Sequence, residues 1–263
     1  MSLLALWPLV AALLFTPSDA ALTVEVRGAA DSPHYMEPLA ATVTNDGAQT
    51  ATLEWPVGTR FTASDPDAQD FLLTAPVLAE VPPGTTRTLR LAAMCMERSD
   101  RAPNDDDTYR PDGLADGVLP RLAALIHERD DRDFNAQSWV WALADNDSLR
   151  TAQIDELVLT EEDRLLLRMG DADRYAVPRA DPVQTYKAFR GSFTLDFARP
   201  FDVHIAVFDA RDIAQMEIYR NERTPTGRTD IEYTFNSHDL DPGTYFIRLI
   251  ADGRIMVDKE VTL

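Results

Sequence analysis

Between Leu22 and Ala92, and again between Gly191 and Leu263, apolar and polar residues alternate in runs of a few residues, each closed by Pro, Gly, Asn or Asp. A period of two puts successive side chains on opposite faces, which suits a half-buried strand and not a helix. Leu22-Thr-Val-Glu-Val-Arg27 is such a run, and Leu39-Ala-Ala-Thr-Val-Thr44 leads into the turn residues Asn45-Asp-Gly47. Thr50 to Trp55, Phe61, Phe71 to Thr74, Ala79 to Val81 and Thr86 to Ala92 continue the series, with Pro82-Pro-Gly84 as its last turn. Short strands at this spacing predict an antiparallel β-sandwich over residues 21–98, with Cys95 at the end of its last strand.

The pattern then changes. Arg98 to Gly117 is rich in Asp, Asn, Pro and Gly and reads as a surface loop. Val118 to Glu128 has apolar residues at 118, 119, 122, 125 and 126 with Pro120 in the first turn, which predicts an amphipathic helix. A second helix is expected from an Asn135 cap to about Ala144. A third is expected from Glu161 to Met169 behind the capping sequence Thr160-Glu-Glu-Asp163, ending at Gly170. Residues 99–178 are therefore expected to form a three-helix segment packed on the preceding sandwich. Beyond Pro178 and Pro182, residues 183–263 return to β-patterning, with turns at Leu240-Asp-Pro-Gly243 and Ala251-Asp-Gly253. The expected fold class is mainly β with a helical insertion.

The first residues, Met1 to Phe15, form an apolar run too short and too Pro-broken to span a bilayer, and Ser18-Asp19-Ala20 offers small residues for cleavage. Residues 1–20 read as a signal peptide, which implies a secreted or cell-surface protein with no membrane span once the signal is removed. The net charge of −19 repels phosphate-bearing partners, so nucleic acid is not expected as a ligand. A protein or cell-surface partner fits better.

The chain has one cysteine, so no internal disulfide can form in an oxidising compartment. In Ala136-Gln-Ser-Trp-Val-Trp141, helical geometry puts Gln137 on one face with Val140 and Trp141. Its amide should point inward, and a buried amide needs a partner. Cys95 and Gln137 are what an internal thioester would require: a thiolate leaving group and an acyl donor, open to attack by an amine or hydroxyl. The same residues also fit a buried small hydrophobe and an amide that ties the helix to the sandwich. A third arrangement pairs Cys95 with His127 as nucleophile and base. His127 also suits the C-terminal end of its helix, where the dipole favours a cation.

The carboxylate-rich loops at Asp65, Asp67 and Asp70, at Asn104 to Asp107, and at Asp171 and Asp173 lack EF-hand spacing and read as solvated loops. His34, His204 and His238 are scattered. No phosphate loop, dinucleotide turn, nucleophile elbow or zinc spacing is found, so no catalytic set, metal or cofactor is expected.

Val203-His-Ile-Ala-Val-Phe-Asp209, Leu240-Asp-Pro-Gly-Thr-Tyr-Phe-Ile-Arg248 and Asp252-Gly-Arg-Ile-Met-Val-Asp-Lys259 resemble immunoglobulin-like C-terminal modules of bacterial surface proteins. Two such modules are the Ig-like domain of the flagellar hook-cap scaffold and the type A sorting domain of type IX secretion. In front of them, Pro56-Val-Gly58 with Phe61, Pro82-Pro-Gly84, Cys95, Ala102-Pro103 and Gln137 to Ala142 resemble secreted bacterial proteins that share a β-sandwich, a Cys at its last strand and a Gln-x-x-Val/Ile-Trp helix. Cys95-Met-Glu97 with Ala136 to Trp141 is similar to the signatures of thioester domains in surface adhesins. Together these resemblances imply a non-enzymatic secreted or surface-associated protein with an Ig-like docking or sorting tail. The alternatives are a thioester-type adhesin that uses Cys95 and Gln137 to link covalently to a partner, and a hydrolase with Cys95 as nucleophile.

Overall fold

The computed structural model describes residues 22–144, 188–237 and 240–263. The expected leader, the third helix, the Asp171 and Asp173 loop, and His238 lie outside these residues. In chain order the front contributes β1 (Leu22–Gly28), β2 (Leu39–Asn45), β3 (Ala51–Trp55), β4 (Thr59–Ala63), β5 (Phe71–Leu73), β6 (Val77–Val81), β7 (Thr85–Leu91), β8 (Ala93–Cys95) and β9 (Thr108–Leu114). Helices α1 (Leu119–Arg129) and α2 (Phe134–Ala144) follow. The tail contributes β10 (Ala188–Phe197), β11 (Phe201–Phe208), β12 (Ala214–Thr224), β13 (Gly227–Asn236), β14 (Thr244–Ala251) and β15 (Arg254–Thr262). The fold is mainly β, and its sheets are antiparallel.

Seven front strands form one sheet in the order β7-β2-β1-β9-β4-β5-β8, and β3 pairs with β6 in a separate ribbon. The sequence alternation places Leu39, Ala41 and Val43 of β2 inward. Leu53, Trp55, Ala79 and Val81 of the ribbon join the same core, where Trp55 meets Phe61 edge to face at 5.0 Å. Each large apolar side chain fully buried there contributes about 1.5–3 kcal/mol.

The structure corrects the surface loop expected from Arg98 to Gly117. Thr108–Leu114 is a strand, β9, held between β1 and β4 in the middle of the sheet. Its β-forming residues Thr108 and Tyr109 lie at one end, and Tyr109 is only 6% exposed. Pro111, Asp112 and Gly113, which suggested a loop, are exposed and lie where the β4–β9 register slips. An irregularity of that kind tolerates a proline that cannot donate to the ladder.

Helix α1 keeps Leu122, Ala123 and Ile126 buried and ends at Asp130 in the left-handed region, φ 56°. Its start is seated by Gly58, at φ 85°, where a Cβ would stand 2.7 Å from the Pro120 Cα. Helix α2 begins one residue before the expected cap. Asp133, not Asn135, caps it: Asp133 Oδ1 accepts the Ala136 N–H at 2.9 Å. Phe134 and every residue from Ala136 to Trp141 are buried. A helix buried all round needs cover on more than one side, and α2 has it: it packs on β8 of the front and on β12 of the tail.

In the tail, β12-β11-β14-β15 form one sheet and β10-β13 another. Phe193, Phe197, Ile231, Tyr233 and Phe235 meet Val203, Ile205, Val207, Ile247 and Leu249 in a second core. The opposite face of the four-stranded sheet supplies Ala206, Phe208, Ala214 and Ile250 to the front core. Two-sided burial accounts for the nearly unbroken apolar run Val203-His-Ile-Ala-Val-Phe208. The seam between the two β units is therefore part of the interior.

Candidate functional site

Cys95 stands at the end of β8, which lies beyond β5 at the edge of the sheet formed by the described strands. The amide of Gln137 meets its backbone there. Cys95 N–H donates to Gln137 Oε1 at 3.0 Å, and Gln137 Nε2 donates to Cys95 O at 2.8 Å. One side chain thus satisfies both polar groups of a buried edge residue, which otherwise cost about 1–3 kcal/mol each.

The sulfur is held as well. One helical turn from Gln137, Trp141 Nε1–H donates to Cys95 Sγ at 2.9 Å, and His34 Nδ1 lies 3.2 Å from the same atom. His34 comes from the loop between β1 and β2. Its Nε2 accepts the Ala214 N–H at 3.0 Å, so in the neutral ring the proton sits on Nδ1 and points at the sulfur. The imidazole stacks on Trp141 with centroids 5.5 Å apart and meets Phe208 edge-on. Arg98 lies over the indole, its guanidinium carbon 5.2 Å from the ring centroid. Burial drives the His34 pKa down to about 3, against a hydrogen bond with Gln137, and the charges of Arg248 and Arg98 push it the same way. Cys95 and Gln137 are 0% exposed, His34 1% and Trp141 2%.

The structure thus brings Cys95 and Gln137 together, on opposite elements and in direct contact. It leaves His127 exposed in the last turn of α1. The imidazole at the sulfur belongs to His34, one of the histidines that form no set in the sequence. The one signal for it was local: Pro33-His-Tyr-Met36 surrounds a histidine with apolar neighbours inside a turn-rich loop.

The carboxylate loops have a different role. Arg101 donates to Asp107 through both terminal nitrogens and to Asp65 through one, so a guanidinium occupies the space between those loops. Arg101 and neighbouring backbone N–H groups hold the Asp65 and Asp107 carboxyls below the usual range. For Asp65 the leading cause is the Asp67 backbone N–H; for Asp107 the Arg101 bonds and the Asn104 N–H outweigh a burial effect of opposite sign. Among the described residues, no group of three or more His, Cys, Asp or Glu is arranged to hold a metal ion. Asp70 binds Arg60, and the Asp70 N–H donates to Glu97 Oε2 at 2.7 Å. Burial raises the Glu97 pKa to about 7. A cleft of about 230 Å³ opens beside the His34 loop, edged by Arg101, Arg211 and Arg248. Each of these guanidiniums is already paired with a carboxylate: Arg101 with Asp65 and Asp107, Arg211 with Asp209, and Arg248 with Asp212 and Asp258.

No protein-family model matches this chain, and no curated protein is similar to it. No described helix is long and apolar enough to cross a membrane.

Proposed function

We propose that this chain is a non-enzymatic secreted or surface-associated protein, in which Cys95 and Gln137 form a non-covalent clamp that fixes a display scaffold. The observation that carries this reading is the hydrogen bonding of Cys95. Gln137 takes its backbone N–H and C=O, while Trp141 and His34 both meet its sulfur. A hydrolase would need a base with a free lone pair at the thiol. The His34 lone pair is taken by Ala214 N–H, and its Nδ1 carries a proton. The clamp joins the front sheet, α2 and the tail, which leaves loops and outer faces to meet a protein or cell-surface partner.

The Ig-like reading of the tail is supported by its strand order, β10-β13 against β12-β11-β14-β15. It is also supported by Tyr245 near the start of β14, whose hydroxyl donates to Asp241 O at 2.9 Å, in the manner of a tyrosine corner. Docking or sorting is the role we assign to this tail. The apolar run from Leu3 to Phe15 supports export.

One observation favours a second reading, the thioester adhesin: the Gln137 carboxamide lies against Cys95. In that case the Cys95 sulfur bonds to the Gln137 side-chain carbonyl carbon, the C–N bond breaks, and ammonia leaves with the thiol proton. Intact mass with thiol labelling separates the two. A clamp gives the full mass and a thiol that reacts with iodoacetamide only after unfolding. A thioester gives a mass lower by about 17 Da, one ammonia, and a thiol freed by hydroxylamine.

A further inference from the structure

His204 lies on the face of β11 that also carries Ala206 and Phe208 toward the front core, and it is 2% exposed. Its Nδ1 is 2.8 Å from Glu217 Oε2 on β12, and its Nε2 is 3.2 Å from Asp202 Oδ1 on its own strand. A buried imidazole with a carboxylate at each nitrogen is arranged to carry two protons. Directly across the strand pair from His204 is Arg220, which leaves the tail to bind Asp133, the cap of α2. Its partner on the other side is the apolar Ile250 of β14.

Charged and titratable groups of the front and of the tail surround this cluster. The front contributes Asp133, Asp131 and the buried Tyr35, whose hydroxyl has no hydrogen-bond partner among the described residues and senses the charges of Glu217, Asp133 and Arg220. Asp252, on the turn after β14, accepts the Asp202 N–H and is itself paired with Arg199. With His204 protonated, the carboxylates of Asp202, Glu217 and Asp133 face two cations. With it neutral, they face Arg220 alone.

We infer that the seam between α2 and β12 is a proton-controlled latch, held shut by an imidazolium at His204 and loosened when that proton leaves. Burial alone would lower the His204 pKa, but the Glu217 hydrogen bond and the charges of Glu217 and Asp202 outweigh it and the net shift is upward. The latch is therefore closed in acid and opens on the alkaline side. Excess negative charge beside Asp133 then competes for Arg220, and the Tyr35 hydroxyl gains no partner that would hold the seam.

Hydrogen exchange on the full chain tests this, with intrinsic rates corrected at each pH and the His204 imidazole followed by NMR. Amides of α2 and β12 should lose protection as His204 deprotonates, by up to about tenfold per pH unit, the slope of one linked proton. His204→Gln should flatten the profile, and Glu217→Gln should move its midpoint to lower pH. Flat wild-type protection while His204 titrates overturns the latch, as does an unchanged slope in His204→Gln. If His204→Gln does not fold, Glu217→Gln decides: a midpoint that stays in place overturns the proposal.

Discussion

On the flank of α2 that faces β8, Gln137 and Trp141 meet Cys95 and His34 through uncharged groups. On the flank that faces β12, Asp133 meets Arg220 beside His204 and Glu217. Both contacts tie the same helix to a β unit, the first wholly buried and the second with Arg220 partly exposed. They differ in how they respond to protons. The neutral flank depends on an imidazole that must stay unprotonated, because its Nε2 lone pair is in use. The ionic flank depends on an imidazole that must stay protonated, because two carboxylates face it. One helix is thus fastened by two histidines with opposite requirements, and stability should be greatest between their titrations.

The largest effect expected from this contrast is acid loss at His34. Its folded pKa of about 3 is below the unfolded value, so the native state binds fewer protons. The stabilisation it gives is complete above about pH 6.5 and falls as pH drops toward 3, on the order of 5 kcal/mol in all. Denaturant melts across that range should show the slope, and His34→Gln should remove most of it. A slope that survives the substitution would break the contrast on its neutral side.

Gln137→Ala should cost about 2–4 kcal/mol, because it leaves the N–H and C=O of Cys95 unpaired in the core. The same melts measure it, and a cost below that of an ordinary surface change would mean water replaces the amide. On the ionic flank, Asp133→Ala removes both the α2 cap and the Arg220 partner; the expected loss is about 1–3 kcal/mol, smaller because Arg220 is partly exposed. If Asp133→Ala proved costlier than Gln137→Ala, the ordering of the two flanks would be reversed. The smallest effect lies away from both, at a partly exposed carboxyl whose charge water screens. Glu97 has its folded pKa raised to about 7 by burial, so its ionisation destabilises the fold as pH rises from 4.5 through 7. Glu97→Gln keeps an acceptor for the Asp70 N–H and should raise the melting temperature slightly at pH 8 while leaving it unchanged at pH 4. An increase at both pH values would assign the gain to packing instead.

The tail was the most legible part of the chain. Its strands from β10 to β15 all fall within the β-patterned residues 183–263, because strand patterning is local and survives any packing. The front was read less completely. Strand β9 was hidden by Pro111, Asp112 and Gly113, whose turn chemistry outweighs Thr108 and Tyr109 when no neighbouring strand is in view. The α2 cap was misplaced because Asp133 and Asn135 are both good caps, and only the Asp133 contact with Ala136 N–H separates them.

The candidate site divides in the same way. That Gln137 and Trp141 share a helical face, and that the single cysteine ends a strand, both follow from backbone periodicity and are legible in the residues alone. That His34 completes the cluster, that Ala214 of the tail fixes its tautomer, and that α2 is covered on two sides emerge only in the folded chain. Separation along the chain is the cause. His34 and Ala214 carry no periodic relation to Cys95, and the burial and hydrogen bonds that give them roles exist only once two distant β units close on one helix.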